Sequence, residues 1–155
     1  MTELLEALHT GNNERVSALL AQNPKLNVFE ASALGRADRV RQLVTADPSL
    51  ANAYGDDGFQ PLTLACFYGH IEAAMVLLDA GADPNTLGRN QYIQTNALHA
   101  AAASENKDEA TRYELCKLLL DRGADPDIPQ GTDEFRAIDA ARQNGDKRLE
   151  ELLTR

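Results

Sequence analysis

The sequence has no tryptophan, and its eight Phe and Tyr residues make up only 5% of 155 positions. That scarcity argues against an all-β core, while the prevalence of Ala and Leu favours helices packed closely through small side chains. Cysteine is also scarce. Cys66 and Cys116 are too few for a disulfide framework, and both sit in apolar helical patterns. Buried, reduced thiols and a cytoplasmic setting are expected. No apolar run approaches membrane-spanning length, and the opening "TELLEALHTGNNERV" has neither a basic n-region nor an apolar h-region, so a soluble, unprocessed chain is expected. Positive charge is in deficit, with 15 Lys and Arg against 24 Asp and Glu, a net charge of −9. Phosphate backbones and anionic membranes need clustered cations, so neither nucleic acid nor a membrane is an expected partner.

Catalytic signals are missing as well. His9, His70 and His99 are the only histidines. No His or Cys pair has metal-ligand spacing, no GxxxxGK loop occurs, and neither cysteine has an activating context. No cofactor, metal or catalytic residue is expected. Acidic pairs such as Asp56 with Asp57 and Glu150 with Glu151 read as solvated surface.

What the sequence does contain is a phrase written twice. "LLDAGADPN" ends at Asn85 and "LLDRGADPD" ends at Asp127, 42 residues later, with seven of nine letters shared. A periodic column of glycines, Gly11, Gly35, Gly69 and Gly145, follows short apolar helix patterns, as expected for left-handed helix ends. Ala31, Ala65, Ala101 and Ala141 form a column of small residues one helix upstream. Aliphatic pairs Leu19–Leu20, Leu43–Val44, Leu77–Leu78 and Leu119–Leu120 recur in the second helices. The pattern predicts five helix-turn-helix units spanning roughly 2–22, 28–45, 61–80, 96–121 and 136–154. In the repeated phrase, Gly81 or Gly123 caps the second helix and the following proline stops it. Stacked units must all turn at that point, which makes the phrase structural punctuation.

These residues resemble ankyrin repeats. "DDGFQPLTLACFYGHIEAAMVLLDAGADPN", Asp56 to Asn85, follows the family's Gly-containing turn, TPLH, paired alanines, GH, LL and GADxN. "NALHAAAA" with "LLLDRGADPD" makes a second match and "RAIDAARQNGD" a weaker third. The first two units, "LLEALHTGNNERVSALLAQNPKLN" and "FEASALGRADRVRQLVTADPSLAN", keep the helical skeleton without the TPLH phrase, as terminal repeats often do. The resemblance implies an all-α solenoid with short β-turn fingers, forming one domain of units 1–27, 28–52, 53–85, 86–127 and 128–155. It also implies that His70 and His99 bond to backbone, and that recognition uses the concave face made by the inner helices and fingers.

Departures from the period point to function. The spacing from Gly81 to Gly123 exceeds 33 by nine, assigned as three residues in the turn "TLGRNQYIQTN" and six in the inter-helix segment "SENKDEATRYE". Insertions in loops are cheap, so neutral drift accounts for them as well as a reach towards a partner does. Tyr92 and Ile93 at the finger tip favour the partner. Six of the eight aromatics fall at finger or inner-helix positions: Tyr54, Phe59, Phe67, Tyr68, Tyr92 and Phe135. Aromatics dominate interface energies. With Asp56, Asp57, Asp133 and Glu134 as an acidic rim and Arg89 as the exception, these residues form the candidate partner-binding set. The function expected is a non-enzymatic, monomeric protein-binding module or scaffold whose partner has a basic surface. An inhibitor or immunity-like protein that blocks a basic enzyme is the alternative, and an enzyme with an unrecognised site the third.

Overall fold

The computed structural model describes residues 1–104, 108–131 and 134–154. Among these described residues ten α-helices pair into five hairpins: α1 (Glu3–His9) with α2 (Asn13–Ala21), α3 (Val28–Leu34) with α4 (Ala37–Ala46), α5 (Pro61–Phe67) with α6 (Ile71–Asp79), α7 (Ala97–Ala102) with α8 (Glu109–Asp121), and α9 (Ala137–Gln143) with α10 (Lys147–Leu153). A short 3-10 helix, Pro48–Asn52, leads towards α5. Among the described residues there is no sheet, only one antiparallel bridge between Gln130 and Phe135. The odd-numbered helices stack side by side as an inner row, and α4, α6, α8 and α10 form the outer row.

Each helix starts and stops for a local reason. Side chains of Thr2, Asn12, Asn27, Asn96, Asp108 and Asp146 accept hydrogen bonds from first-turn backbone N–H groups. Pro61 opens α5, where its missing N–H costs nothing. The column Ala31, Ala65, Ala101 and Ala141 has no exposed surface, so these alanines set how closely neighbouring inner helices approach. Gly35 shows why a bare residue recurs at the hairpin bend. Its φ is +72°, and a Cβ there would lie 2.4 Å from Nδ1 of His70. That imidazole belongs to the next unit, and its Nε2 lies 2.9 Å from the Ala33 carbonyl.

The repeated phrase acquires a second duty in three dimensions. The Asn85 amide donates to the Gly123 carbonyl at 3.0 Å and accepts from the Asp125 N–H at 2.7 Å. Asn52 does the same one unit earlier, to the Gly81 carbonyl at 2.9 Å and the Asp83 N–H at 2.8 Å. The last letter of one unit therefore grips the Gly-Ala-Asp of the next. Asparagine suits the task because one amide both donates and accepts. After the second copy no further Gly-Ala-Asp follows, and Asp127 stands where asparagine would, 3.7 Å from Arg136.

The nine surplus residues divide as expected in number but not in form. Matching finger bonds run from Gly55 N–H to the Phe59 carbonyl, 2.9 Å, and from Gly88 N–H to the Thr95 carbonyl, 2.8 Å, so the second finger is longer by three residues. The six-residue insertion was expected to lengthen a connecting segment. Instead α8 begins at Glu109, capped by Asp108, which adds about one turn to the outer helix; residues 105–107 of that segment lie outside the described residues. The added turn carries Arg112, whose side chain is only 9% exposed and lies 3.5 Å from Asp146 of the last hairpin, itself 3% exposed. Arg112 also donates to the Ser104 carbonyl at 3.2 Å. This insertion is a strut between the fourth and fifth hairpins.

Candidate partner-binding surface

Two neighbouring concavities lie on the face shared by the inner helices and the fingers. The first is a cavity of about 310 Å³ lined by His9, Phe59, Thr63, Leu64, Phe67, Ile93, Thr95, His99, Ala100, Ala103 and Gln130. The second, about 400 Å³, runs between the fingers and is lined by Tyr54, Asp56, Asp57, Arg89, Asn90 and Tyr92, with their neighbours. Of the residues anticipated from sequence, Phe59, Phe67 and Ile93 meet in the first, while Tyr54, Asp56, Asp57, Arg89 and Tyr92 meet in the second. Tyr68 and Phe135 line neither. Asp133 lies outside the described residues.

Among the described residues, three of the five exposed large hydrophobics lie on this face, the others being Met1 and Met75 of α6. Tyr92 is 84% exposed, Ile93 47% and Phe67 43%, which leaves apolar surface in water on the finger tip and at the end of α5. The tip is held in shape. Asn90 Oδ1 accepts from the backbone N–H groups of Tyr92, at 2.8 Å, and Ile93, at 3.0 Å, while its Nδ2 donates to the Asp57 carbonyl at 2.7 Å. The Arg89 N–H donates to the Gly58 carbonyl at 2.8 Å, joining the two fingers. Gly58 permits this contact, because a Cβ there would lie 2.4 Å from the Asn90 nitrogen. The Arg89 guanidinium lies 3.8 Å from the centroid of the Tyr54 ring, so the single cation of the candidate set is stacked on an aromatic face.

Asp57 departs from its expected place on an open rim. Its side chain is 11% exposed, accepts from the Phe59 N–H at 3.0 Å and lies 3.4 Å from Nε2 of His9. Asp56, by contrast, is 89% exposed and beside the N-terminal amine at 3.3 Å. Glu134 is exposed at a φ of +52°. Phe135 is half-buried and accepts from the Gln130 N–H at 2.6 Å, closing the third finger.

His9 went unassigned in sequence, yet it joins the first hairpin to the third. Its ring stacks on Tyr68 at 5.9 Å and meets Phe59 edge-on at 6.5 Å. Its Nδ1 lies 2.5 Å from the Tyr68 hydroxyl. A phenol donating to Nδ1, with Nε2–H donating to Asp57, satisfies all three groups. Burial, and then the Asp57 carboxylate, push the Tyr68 phenol up to about 12. Beneath this bridge Leu5, Ala33 and Leu64 pack with Phe29 and Phe59, so the first part of the inner face is filled by the chain itself. The open part lies over α5 and α7.

His99 was anticipated to bond to backbone, and its Nε2 lies 2.8 Å from the Ile128 carbonyl. A carbonyl only accepts, so Nε2 carries the hydrogen. Desolvation lowers the pKa of this imidazole below its ordinary 6.5, the bond to Ile128 opposing only in part. A larger cleft of about 730 Å³ lies elsewhere, around Lys25, Arg36, Asp38 and Arg39, but its charges are mixed and Arg39 already donates to the Leu26 carbonyl at 3.0 Å. Among the described residues no group of three or more His, Cys, Asp or Glu side chains could hold a metal ion, and no helix is long and apolar enough to cross a membrane.

Comparison with known proteins agrees with this geometry. The family model described as "Ankyrin repeats (3 copies)" matches residues 28–130, more than half of the chain. The human "DNA-binding protein RFXANK" is 34% identical over 76 residues, which cover 49% of this chain and 29% of that protein. The mouse "Ankyrin repeat and SAM domain-containing protein 6" is 30% identical over 99 residues, 64% of this chain and 10% of the relative. The Caenorhabditis elegans "E3 ubiquitin-protein ligase hecd-1" is 36% identical over 94 residues, 60% of this chain and 3% of the relative. The chain thus spans less than a third of the length of these curated relatives. Stacked hairpins, fingers and a family match over most of the stack lead to one conclusion: the chain belongs to the ankyrin repeat family, whose members generally mediate protein–protein interaction.

Proposed function

We propose that this chain is a non-enzymatic docking module that binds a protein partner through the inner-helix and finger face. The observation that carries the reading is the exposed apolar surface of Phe67, Tyr92 and Ile93, with Asn90 fixing the backbone of the last two and with Phe67 and Ile93 lining a 310 Å³ cavity. Solvated apolar surface on an ordered scaffold is the mark of an interface. Across one domain of five units, the acidic balance of −9 and outward-facing Asp56 and Glu134 select a partner with a basic surface. Two unpaired, buried thiols suit a reducing compartment such as the cytoplasm, with the chain acting as a monomer.

The test compares on-rate and affinity of an isolated partner for the wild type, Phe67→Ala with Ile93→Ser, and Asp56→Asn. The apolar double variant should weaken binding by more than about 2 kcal/mol through faster dissociation. Asp56→Asn should chiefly slow association, and rising salt should do the same. Normal binding by the double variant, with native folding, overturns the reading.

A further inference from the structure

We propose that the cavity between α5, α7 and the fingers seats one aromatic side chain bearing a hydrogen-bond donor, a tyrosine or tryptophan that a partner protein presents between basic residues. This rests on the docking reading above and adds the chemistry of the residue that is recognised.

The size comes first. About 310 Å³ is at the small end of ligand pockets and suits a single large side chain. Phe59, Leu64, Phe67 and Ile93 supply apolar walls, buried Ala100 leaves space where a longer side chain would intrude, and exposed Ala103 leaves the mouth open. An aromatic ring is the apolar body that such walls hold best.

The donor follows from His99. This residue lines the cavity and is only 2% exposed. With its hydrogen on Nε2, committed to Ile128, its Nδ1 is a lone pair, and that atom is buried with no hydrogen-bond partner. Buried polar atoms are nearly always paired, so an unpaired acceptor on a cavity-lining residue is a place where an incoming N–H or O–H, admitted by a small movement of the side chains that cover it, gains a bond without displacing one. The lowered pKa of this imidazole keeps the lone pair available at neutral pH. A phenol or an indole carries the required hydrogen at the end of an apolar ring, whereas a phenyl ring does not.

The flanking charge follows from the surroundings. His9 lines the same cavity and has the Asp57 carboxylate 3.4 Å away, Asp56 is 89% exposed on the adjoining finger with the N-terminal amine 3.3 Å away, and the whole chain carries −9. Lysine or arginine beside the seated ring meets favourable potential there, and glutamate meets repulsion.

The test titrates the full chain with three probes: acetyl-Lys-Tyr-Lys-amide, acetyl-Lys-Phe-Lys-amide and acetyl-Glu-Tyr-Glu-amide. Backbone and methyl NMR shifts locate each peptide, and long-range imidazole nitrogen spectra report Nδ1 of His99. The expected result is that the Lys-Tyr-Lys peptide shifts Phe67, Ile93 and Ala103, binds about threefold to tenfold more tightly than its Phe counterpart, as one hydrogen bond implies, and moves Nδ1 of His99 upfield. The Glu-flanked peptide should bind more weakly. Ala103→Phe, at an exposed position, should fill the cavity and abolish binding without altering the circular dichroism spectrum or melting. Equal affinity for the Tyr and Phe peptides, an unmoved Nδ1 signal, or undiminished binding by Ala103→Phe overturns the proposal. A partner protein that depends on Phe67, while the peptides show no such preference, removes this inference and leaves the docking face. A partner insensitive to both Phe67 and Ala103 removes both.

Discussion

Replacing Asn85 tests how the units are joined. The side chain is half-buried and makes two bonds across the unit boundary, to the Gly123 carbonyl and from the Asp125 N–H. Its own N–H bonds to Asp83 at 2.9 Å and survives any change of side chain. At about 1 kcal/mol for each net hydrogen bond, Asn85→Ala should cost about 1–2 kcal/mol. Asn85→Asp should cost at least as much, although it is nearly isosteric. The carboxylate still accepts from Asp125, but it sets a negative oxygen against the Gly123 carbonyl and adds charge beside Asp83. The same position in the next unit supplies the control. Asp127 has no further Gly-Ala-Asp to grip and is 82% exposed, so Asp127→Asn should lie within about 0.5 kcal/mol of wild type. Urea denaturation followed by circular dichroism measures all three variants. An Asn85→Asp protein as stable as wild type would refute the argument, as would a larger effect at Asp127 than at Asn85.

Three further outcomes follow from burial. Leu119→Ala, at a fully buried outer-row position, should lower stability by roughly 2–5 kcal/mol, and a change of only a few tenths in a urea titration would mean that the stack is wrongly registered. Burial, followed by the Asp146 carboxylate and opposed by Arg112, pushes the Cys116 thiol up to about 12, and burial also raises Cys66. Both thiols should therefore react with a thiol reagent only after unfolding, and fast labelling of the native protein would contradict their placement. For His99 the folded pKa lies below the unfolded value of 6.5, so the unfolded chain binds more protons as pH falls below 6.5, and stability should decline in that window. A pH series of urea midpoints, compared with a His99→Gln variant lacking that slope, checks the sign.

Much of the fold was legible because its signals are local. Capping residues, the bend glycines, the buried alanine column and the GADP stop each act within a few residues, so a single sequence displays them. The three-residue finger insertion was legible for the same reason. The second insertion was misread in form. "DEAT" holds a helix start, with Asp108 accepting from the Thr111 N–H at 2.8 Å, but alignment to a shorter unit made it look like a connection. The role of Arg112 depended on Asp146, 34 positions later, which no local pattern announces.

The candidate site divided along the same line. Crowding of aromatics onto fingers and inner helices could be counted, and the structure brings most of them into two adjoining concavities. It could not be counted that Asp57 would turn inward to His9, because that pairing links the first hairpin to the third. Asn90 is not among the residues the sequence singles out, although an asparagine two and three positions before exposed Tyr92 and Ile93 is the signal for a side chain that folds a tip.

Hydrogen–deuterium exchange of the chain with and without its protein partner tests the central claim most directly, because it reports the footprint without any substitution. The account predicts slowed exchange over residues 54–59, 63–67 and 88–95, where the fingers and α5 frame the two concavities, with α10, Lys147–Leu153, unchanged. Protection confined to α10 or to the outer helices, with the finger amides exchanging as in the free protein, would contradict it.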